Sequence, residues 1–542
     1  MTERVFVRKA SGLVRDFSTG DAMMYNMLTV GILSGAVYAI STALYAFPGA
    51  NLLLGMGITA VWGAFMWIVY VFLVTAMPRT GGDYIYESRI LNSAIGFIFP
   101  MGAFVFWCIY WVIFGGTTLA IYGVNPFLAT LALRWNRPEL LGMANWLLTA
   151  DGSAIVALVM LFLATILLIL PVRFYTRIQW ILMGSVLLSI IVILGSLLSV
   201  DQATFVANFN GWARQFGASG NYYQHVIDTA KANGFNPSPG FSWYATLGVM
   251  PATWFLLAWA FWSVAQAGEV KRAENVKQQF IMIPGAGLLT AVVWIVIALV
   301  AISIVGQEFI ASLTFLTFQH PDLLATSVPP YTSFFASIAR PELDLLVAFV
   351  VMAGFFCSTL QIDYNTLFMP VRNLLAGSFD RVLPEAFSEV HPKFHTPVKA
   401  ILFCLLVGIV QIAAWRFIPG LVSTVAAASF AQQAPLLLTC IAGVIFPFRR
   451  KTKEIYASSP GAKYKVAGIP LISICGVIGA GLIVTVIYYW ATVPALGVAD
   501  PTALSFVVGV YAFMAIYYFA ARIYRKRQGV DITKAFHELP PM

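Results

Sequence analysis

Long apolar runs without a single charge recur along the chain. Positions 155–170, 182–198 and 288–305 contain no charged side chain. A run of about 20 apolar residues crosses the roughly 30 Å hydrocarbon layer as a helix. In lipid every backbone N–H needs an internal partner, so helices are the default spanning element. Barrel strands would show a polar residue at every second position, and these runs do not. The pattern predicts an all-α integral membrane protein with about twelve spans, at 22–47, 51–77, 94–123, 153–172, 176–200, 244–267, 281–306, 342–368, 396–415, 419–447, 466–492 and 501–522. Two of the divisions, at Pro48-Gly49 and at Pro171, rest on turn-forming residues inside otherwise continuous apolar sequence.

Composition agrees with the pattern. Hydrophobic residues make up 60% of the 542 positions and charged residues 10%, against about 25% charged in a soluble globular chain. Charge then sets the orientation. With twelve spans, alternate loops share a side with both termini, and that side holds most of the 32 Lys and Arg; the opposite side holds Arg134, Arg137, Arg214, Lys231, Arg340 and Arg416. The positive-inside rule places both termini in the cytoplasm, which points to the cell membrane. The net charge of +9 is explained by this asymmetry and needs no nucleic acid. The N-terminal 1–21 is a charged, mixed cytoplasmic tail, and the first apolar run is too long for the core of a cleaved signal. The five cysteines, Cys108, Cys357, Cys404, Cys440 and Cys475, all fall within spans and have no metal-ligand spacing. No cofactor and no metal site is expected. The chain divides into the tail, a core over 22–447, a loop with two further spans over 448–522, and a short basic tail over 523–542. Two long external loops remain, 201–243 and 307–341. The first carries Gly211-Trp212, Gly217-Ala218-Ser219-Gly220 and the 237–240 turn, and reads as a turn-rich external cap; the second carries Pro321, Pro329 and Pro330.

The chemistry should sit where helices break. Unwound backbone at mid-depth offers N–H and C=O groups to a solute. The first span carries Thr29-Val30-Gly31-Ile32-Leu33-Ser34-Gly35, two glycines and two hydroxyls near its middle; the stretch is a candidate break, or a place where small residues let helices pack closely. The sixth span has no mid-span glycine, but Ala258, Ala260 and Ser263 lie between Trp259, Phe261 and Trp262, of which Trp259 and Trp262 share a face. These aromatics could line an apolar pocket or fill the core. Asp363 and Thr366 stand in the eighth span, and an acid inside a span is expensive and functional by default.

After the second span the chain reads Pro78-Arg79-Thr80-Gly81-Gly82-Asp83-Tyr84-Ile85-Tyr86-Glu87-Ser88-Arg89. The glycines permit a tight re-entry turn, and the tyrosines and charges can seal an inner gate. In this loop the sequence resembles the amino acid–polyamine–organocation (APC) permease superfamily. Further similar stretches follow in order: Arg177-Ile178-Gln179, Gly268-Glu269-Val270-Lys271, Arg372, Leu383-Pro384 and His391-Pro392-Lys393-Phe394-His395-Thr396-Pro397. The resemblance implies a five-plus-five inverted repeat with discontinuous helices 1 and 6, two C-terminal helices, and transport of an amino acid or related amine by alternating access. The transport would be coupled to a proton or sodium, or run as exchange. It implies substrate contacts at Gly31, Ser34 and Gly35 in the first helix and at Trp259, Ala260, Phe261 and Trp262 in the sixth. It also implies an inner-gate loop of Gly81, Gly82, Asp83 and Tyr84.

The chain departs from the family pattern at three positions. Leu33 and Trp259 stand where glycines are usual, and Val186 stands where some members place a lysine that substitutes for sodium. By the same resemblance Asp363 and Thr366 fall where relatives place hydroxyls beside the first and fifth helices, so they are candidate ion-coupling residues. The alternative for Asp363 is a wetted place at the cytoplasmic mouth, paired with Arg372. No acid lies mid-span in the third, sixth or tenth helix, so with Trp107, Trp259, Phe261 and Trp262 as wall an apolar or aromatic substrate side chain is expected. A transport-silent sensor of the same fold is the competing function. An enzyme is not expected, since the sequence shows neither paired carboxylates beside a histidine nor a phosphate loop. Oligomeric state is left open.

Overall fold

The computed structural model describes residues 15–324, 332–418, 421, 424–496, 498, 501–536 and 538–539. Among the described residues twelve helical spans are long and apolar enough to cross a bilayer: Thr19–Ala46, Leu52–Ala76, Ser93–Trp135, Ala150–Ile169, Val172–Leu198, Trp243–Glu269, Val276–Gln319, Asp344–Phe379, Val398–Phe417, Ala426–Ile445, Leu471–Thr492 and Pro501–Arg527, spans 1 to 12 below. The strands among the described residues are the short antiparallel pair Lys465–Val466 and Ile469–Pro470 before span 11. This is a multi-pass, all-α membrane protein.

Both turn-marked divisions are present. Gly49 takes φ 81° between spans 1 and 2, and Pro171 stands at the N-cap of span 5. Several ends differ from the sequence expectation. Spans 3 and 7 continue to Trp135 and Gln319, and span 8 runs through Pro370 to Phe379. A proline ends a helix in water, but a membrane helix tolerates one where neighbours surround it, and Pro370 is fully enclosed. The 201–243 segment is less turn-rich than its glycines suggest. It contains helices Gln202–Arg214 and Tyr222–Ala232, and Gly211-Trp212 lies inside the first. Tyr223 stacks on Phe309 at 4.2 Å and donates to the Val305 carbonyl at 2.8 Å, which seats this cap on the extension of span 7. The expectation for Pro329 and Pro330, like that for the extreme N-terminal tail, lies outside the described residues.

Peripheral spans show a lipid-facing stripe. Ile155, Val159, Phe162 and Ile166 of span 4 are exposed, as are Leu402, Leu406 and Val410 of span 9. Their spacing of three and four puts each set on one helical face. Spans 1 and 6 are the opposite case: 89% and 94% of their apolar windows are buried. Both of these central helices are interrupted. Span 1 is two helices, Thr19–Thr29 and Ile32–Ala46, joined through Gly31 at φ 66°, ψ 69°. Span 6 is α-helical over Trp243–Leu257 and then tightens into a 3-10 helix over Ala258–Glu269, with Gln266 off helical geometry at φ −110°, ψ 23°. The interruptions fall in the two helices, 1 and 6, for which the resemblance implied discontinuity.

Candidate functional site

The first break is built by one glycine. Gly31 adopts a left-handed conformation that costs an L side chain roughly 1–2 kcal/mol. A Cβ there would also sit 2.7 Å from both Ile362 Cδ1 and Ser34 Oγ. Past it, the helix ladder resumes with the Gly35 N–H donating to the Gly31 carbonyl at 2.6 Å. The amides of Ile32, Leu33 and Ser34 precede that bond, so they form a helix N-terminus with unclaimed donors and positive partial charge.

The second break is held from outside. Ser263 N–H donates to Asn26 Oδ1 at 2.8 Å, and Asn26 Nδ2 donates to Ser263 Oγ at 3.0 Å and to the Met282 carbonyl at 2.6 Å. Trp67 Nε1 donates to the Ala258 carbonyl at 3.2 Å. Backbone groups that an α-helix would pair internally are thus claimed by side chains of spans 1 and 2. Asn26 ties the two interrupted helices and span 7 together, and nothing in its local sequence marks it for that role.

Between the breaks lies a buried cavity of ≈ 10 Å³, lined by Thr29 of span 1, Cys108 and Trp111 of span 3, Leu256, Trp259 and Trp262 of span 6, Ile362 and Thr366 of span 8, and Gln432 of span 10. This is about the space of one water molecule, so the cavity as it stands is closed around less than an amino acid would need. The lining carries no ionised side chain. Trp262 Nε1 donates to the Asn365 carbonyl, Trp259 Nε1 to the Phe255 carbonyl, both at 2.9 Å, and Trp111 Nε1 to Gln432 Oε1 at 3.1 Å. The indole donors are therefore spent on fixing the walls.

The residues expected from sequence divide as follows. Trp259, Trp262 and Thr366 line the cavity, and Gly31 abuts the cavity residue Ile362. Ser34 lies on span 8, with its Oγ 3.3 Å from Ser358 Oγ. Gly35 faces span 7: a Cβ there would fall 2.3 Å from the Trp294 ring, whose Nε1 donates to the Ile32 carbonyl at 2.8 Å. Phe261 turns away and stacks on Tyr70 at 3.8 Å, Ala260 is enclosed outside the lining, and Trp107 packs on Phe106 and Tyr110. Thr29, Cys108, Trp111, Leu256, Ile362 and Gln432 are lining residues that sequence reasoning missed. The helical spacing of Trp111 from Cys108 and of Leu256 from Trp259 was a usable signal.

Asp363 occupies neither of its expected places. Its carboxylate is fully buried and lies against Gly115 of span 3, where a Cβ would be 2.0 Å from Oδ1. Arg372 is engaged by Glu269, Nε to Oε1 at 2.7 Å and a second nitrogen to Oε2 at 3.0 Å. Thr366 Oγ1 donates to the backbone carbonyl of Asp363, not to its carboxylate. The junction of spans 1, 5 and 8 holds a neutral network. Asn365 Nδ2 donates to Thr29 Oγ1 at 2.5 Å and to the Tyr25 carbonyl at 3.3 Å, Gln361 donates to Asn365 and Tyr175, and Tyr175 donates to Gln179. Val186 is buried on span 5 without polar function.

One side of the cavity is sealed by charge. Gly81 and Gly82 have φ 118° and 48°, and the Gly81 N–H donates to the Ala265 carbonyl at 2.9 Å, laying the loop on the 3-10 segment. Asp83 accepts from Tyr70 at 2.5 Å and from Thr439 at 2.7 Å. Burial pushes its carboxyl up to about 6, and Glu87 is raised as well, by burial and by Asp83 beside it. Tyr84 donates to Asp380 at 2.8 Å, and Arg89 pairs with both Asp380 oxygens at 2.8 Å. On the other side rings close over it: Tyr38 stacks on Phe255 at 4.4 Å, flanked by Phe114 and Trp111.

Among the described residues no group of three or more potential metal ligands is present. In comparisons with known proteins, the family model "Amino acid permease" matches residues 22–513. A shorter similarity is to "Uncharacterized protein 399" of Sulfolobus islandicus rod-shaped virus 1, 30% identical over 118 residues, which is 22% of this chain and 29% of that protein. The family match covers nearly the whole chain, and the chain belongs to the amino acid permease family, as a transporter and not an enzyme.

Proposed function

We propose that this permease carries a neutral amino acid with an apolar or aromatic side chain, by alternating access through the closed cavity between spans 1, 3, 6, 8 and 10. The observation that supports this most is the lining itself: two tryptophans, a leucine and an isoleucine beside hydroxyl and amide groups, with no ionised side chain. A basic side chain would meet no ionised group in this lining, since Asp363 stands outside it with its carboxylate against Gly115 of span 3, and burial without a paired charge costs several kcal/mol. The substrate carboxylate is assigned to the N-terminus opened at Gly31, with the amides of Ile32 to Ser34 as donors and Ser34 Oγ beside them. The substrate ammonium is assigned to the C-terminal end of the first half-helix, near Thr29, where carbonyls carry negative partial charge.

The two closures differ in kind, which supports alternating access. The side held by Arg89–Asp380 and Arg372–Glu269 has buried ion pairs to break, whereas the side under Tyr38 and Phe255 has stacked rings to turn. The basic flank of the ion-paired side supports reading it as cytoplasmic, with both termini there and the protein in the cell membrane. Transport is read as cation-coupled, with Asp363 and Thr366 as the residues for coupling.

The test is uptake by vesicles containing the purified protein, with a panel of labelled amino acids and amines. Saturable entry of leucine or phenylalanine is expected. Binding of these solutes without entry would favour the transport-silent sensor and overturn the reading.

A further inference from the structure

We infer that the coupling ion is a proton carried by Asp363 at the contact of spans 3 and 8, and that sodium takes no part at this level of the molecule. The inference rests on the transport reading above. Asp363 is the twentieth residue of a 36-residue helix, far from both ends. Its neighbours in sequence place it beside the cavity: Ile362 and Thr366 line it, and on span 3 the lining residue Trp111 lies one turn before Gly115, which receives the carboxylate. The carboxylate therefore sits at the edge of the substrate site, on the side away from the 78–89 loop.

Both carboxylate oxygens are buried and lack a hydrogen-bond partner among the described residues. An ionised group so placed carries a heavy desolvation cost. Nothing nearby offsets it. The titratable groups that the structure packs on span 8 beside it are Tyr175, stacked on its neighbour Tyr364, Tyr25, against Phe368, and Cys108, which shares the cavity with Ile362; all are neutral as a rule near pH 7. The nearest ion pair, Arg372–Glu269, is complete in itself and about 13 Å further along span 8 by helical rise. The closed conformation thus holds the neutral acid, with one O–H bond formed for each proton taken up. Opening toward water lets that bond break and the carboxylate ionise.

A bare alkali cation needs a shell of several oxygens in place of its water, and among the described residues no polar group stands within hydrogen-bond distance of the two Asp363 oxygens to complete one. Thr366 and Thr359 hydroxyls donate to the carbonyls of Asp363 and Phe355. Where oxygens do converge, at Tyr25 and Thr29 beside the helix break, the Asn365 amide nitrogen points at both and supplies the donors a cation would otherwise provide.

Gly115 gives the second lever. Its missing side chain makes the room in which the carboxyl lies, so helix 3 can move against helix 8 only by carrying that room with it. A proton on Asp363 is in this way linked to the contact that also carries Trp111 into the cavity.

The experiment uses the full chain in vesicles, with leucine as the probe. Counterflow of leucine, which needs no ion gradient, is measured first, and then accumulation driven by an inward proton gradient without sodium, or by an inward sodium gradient at equal pH. The expected results are proton-driven but not sodium-driven accumulation, and leucine-evoked proton entry reported by an internal pH dye. Asp363→Asn is expected to keep counterflow within about threefold and to lose both accumulation and proton entry. Gly115→Ala, whose methyl group displaces the carboxyl, is expected to shift the pH dependence of accumulation while counterflow survives. Sodium-driven accumulation overturns the inference, as does accumulation by Asp363→Asn, or an unchanged pH dependence in Gly115→Ala. Absence of counterflow in the unaltered protein overturns the transport reading and the inference with it; counterflow without proton drive overturns the inference alone.

Discussion

At Gly31 a single absent Cβ shapes the centre of the molecule. The residue turns the chain at φ 66° with Ile362 and Ser34 closed around it. Gly31→Ala is expected to reduce leucine uptake at least tenfold, because the left-handed backbone and the tight contact act together; uptake at matched membrane abundance checks this. Gly35 belongs to a different problem. Its substitution drives a methyl into Trp294, so Gly35→Ala is expected to lower the thermal midpoint of the detergent-solubilised protein rather than to alter substrate preference. The sequence marks both glycines equally, as small residues beside hydroxyls in one apolar span. What separates them is a tryptophan on span 7, a contact that local periodicity cannot register. The same limit applies to Phe261. Its neighbours Trp259 and Trp262 line the cavity, while tightening of the helix at Ala258 turns Phe261 onto Tyr70. The switch from α to 3-10 geometry depends on Asn26 and Trp67, which claim its backbone groups from other helices.

Among elements, the 78–89 loop couples charge to closure. Asp83 has an ordinary value of 3.8 and is pushed up to about 6 by burial in the closed loop. The closed loop therefore binds the proton more tightly than a loop opened to water. Its advantage is complete below 3.8 and is lost as pH rises through about 6. A cysteine introduced at Thr80 is expected to be labelled faster, relative to the same cysteine in an Asp83→Asn background, at pH 7 than at pH 5. Equal ratios at both values would contradict the assignment. The Arg372–Glu269 pair makes a second prediction. Arg372→Gln strands a buried carboxylate on span 6, a loss on the order of 3–5 kcal/mol, and Glu269→Gln in the same chain is expected to restore part of it. Thermal unfolding of the two single variants and the double variant measures the coupling. The loop itself was legible in sequence from Gly81-Gly82 and the spaced tyrosines. Its ionic partner was not, since Asp380 stands at the end of span 8, which proved to pass through Pro370.

Over the whole molecule, twelve apolar runs and two turn-marked divisions were enough to give the spans, because lipid leaves the backbone few alternatives. The interrupted first helix was partly legible, since small residues in a span serve close helix packing as readily as a break; Gly35 does the first against Trp294 and Gly31 the second. The substrate cavity was only half legible. It draws on five spans, and residues such as Gln432 and Thr29 enter it through packing angles that no single segment encodes. The electrostatic character of that cavity is what the functional reading depends on, and competition against labelled leucine in reconstituted vesicles tests it most directly. Excess phenylalanine, isoleucine or methionine should abolish leucine entry, while lysine and arginine at the same concentration should leave it nearly unchanged, as expected of a lining without an ionised side chain. Preferential inhibition by lysine or arginine would contradict a neutral, apolar substrate site between spans 1 and 6.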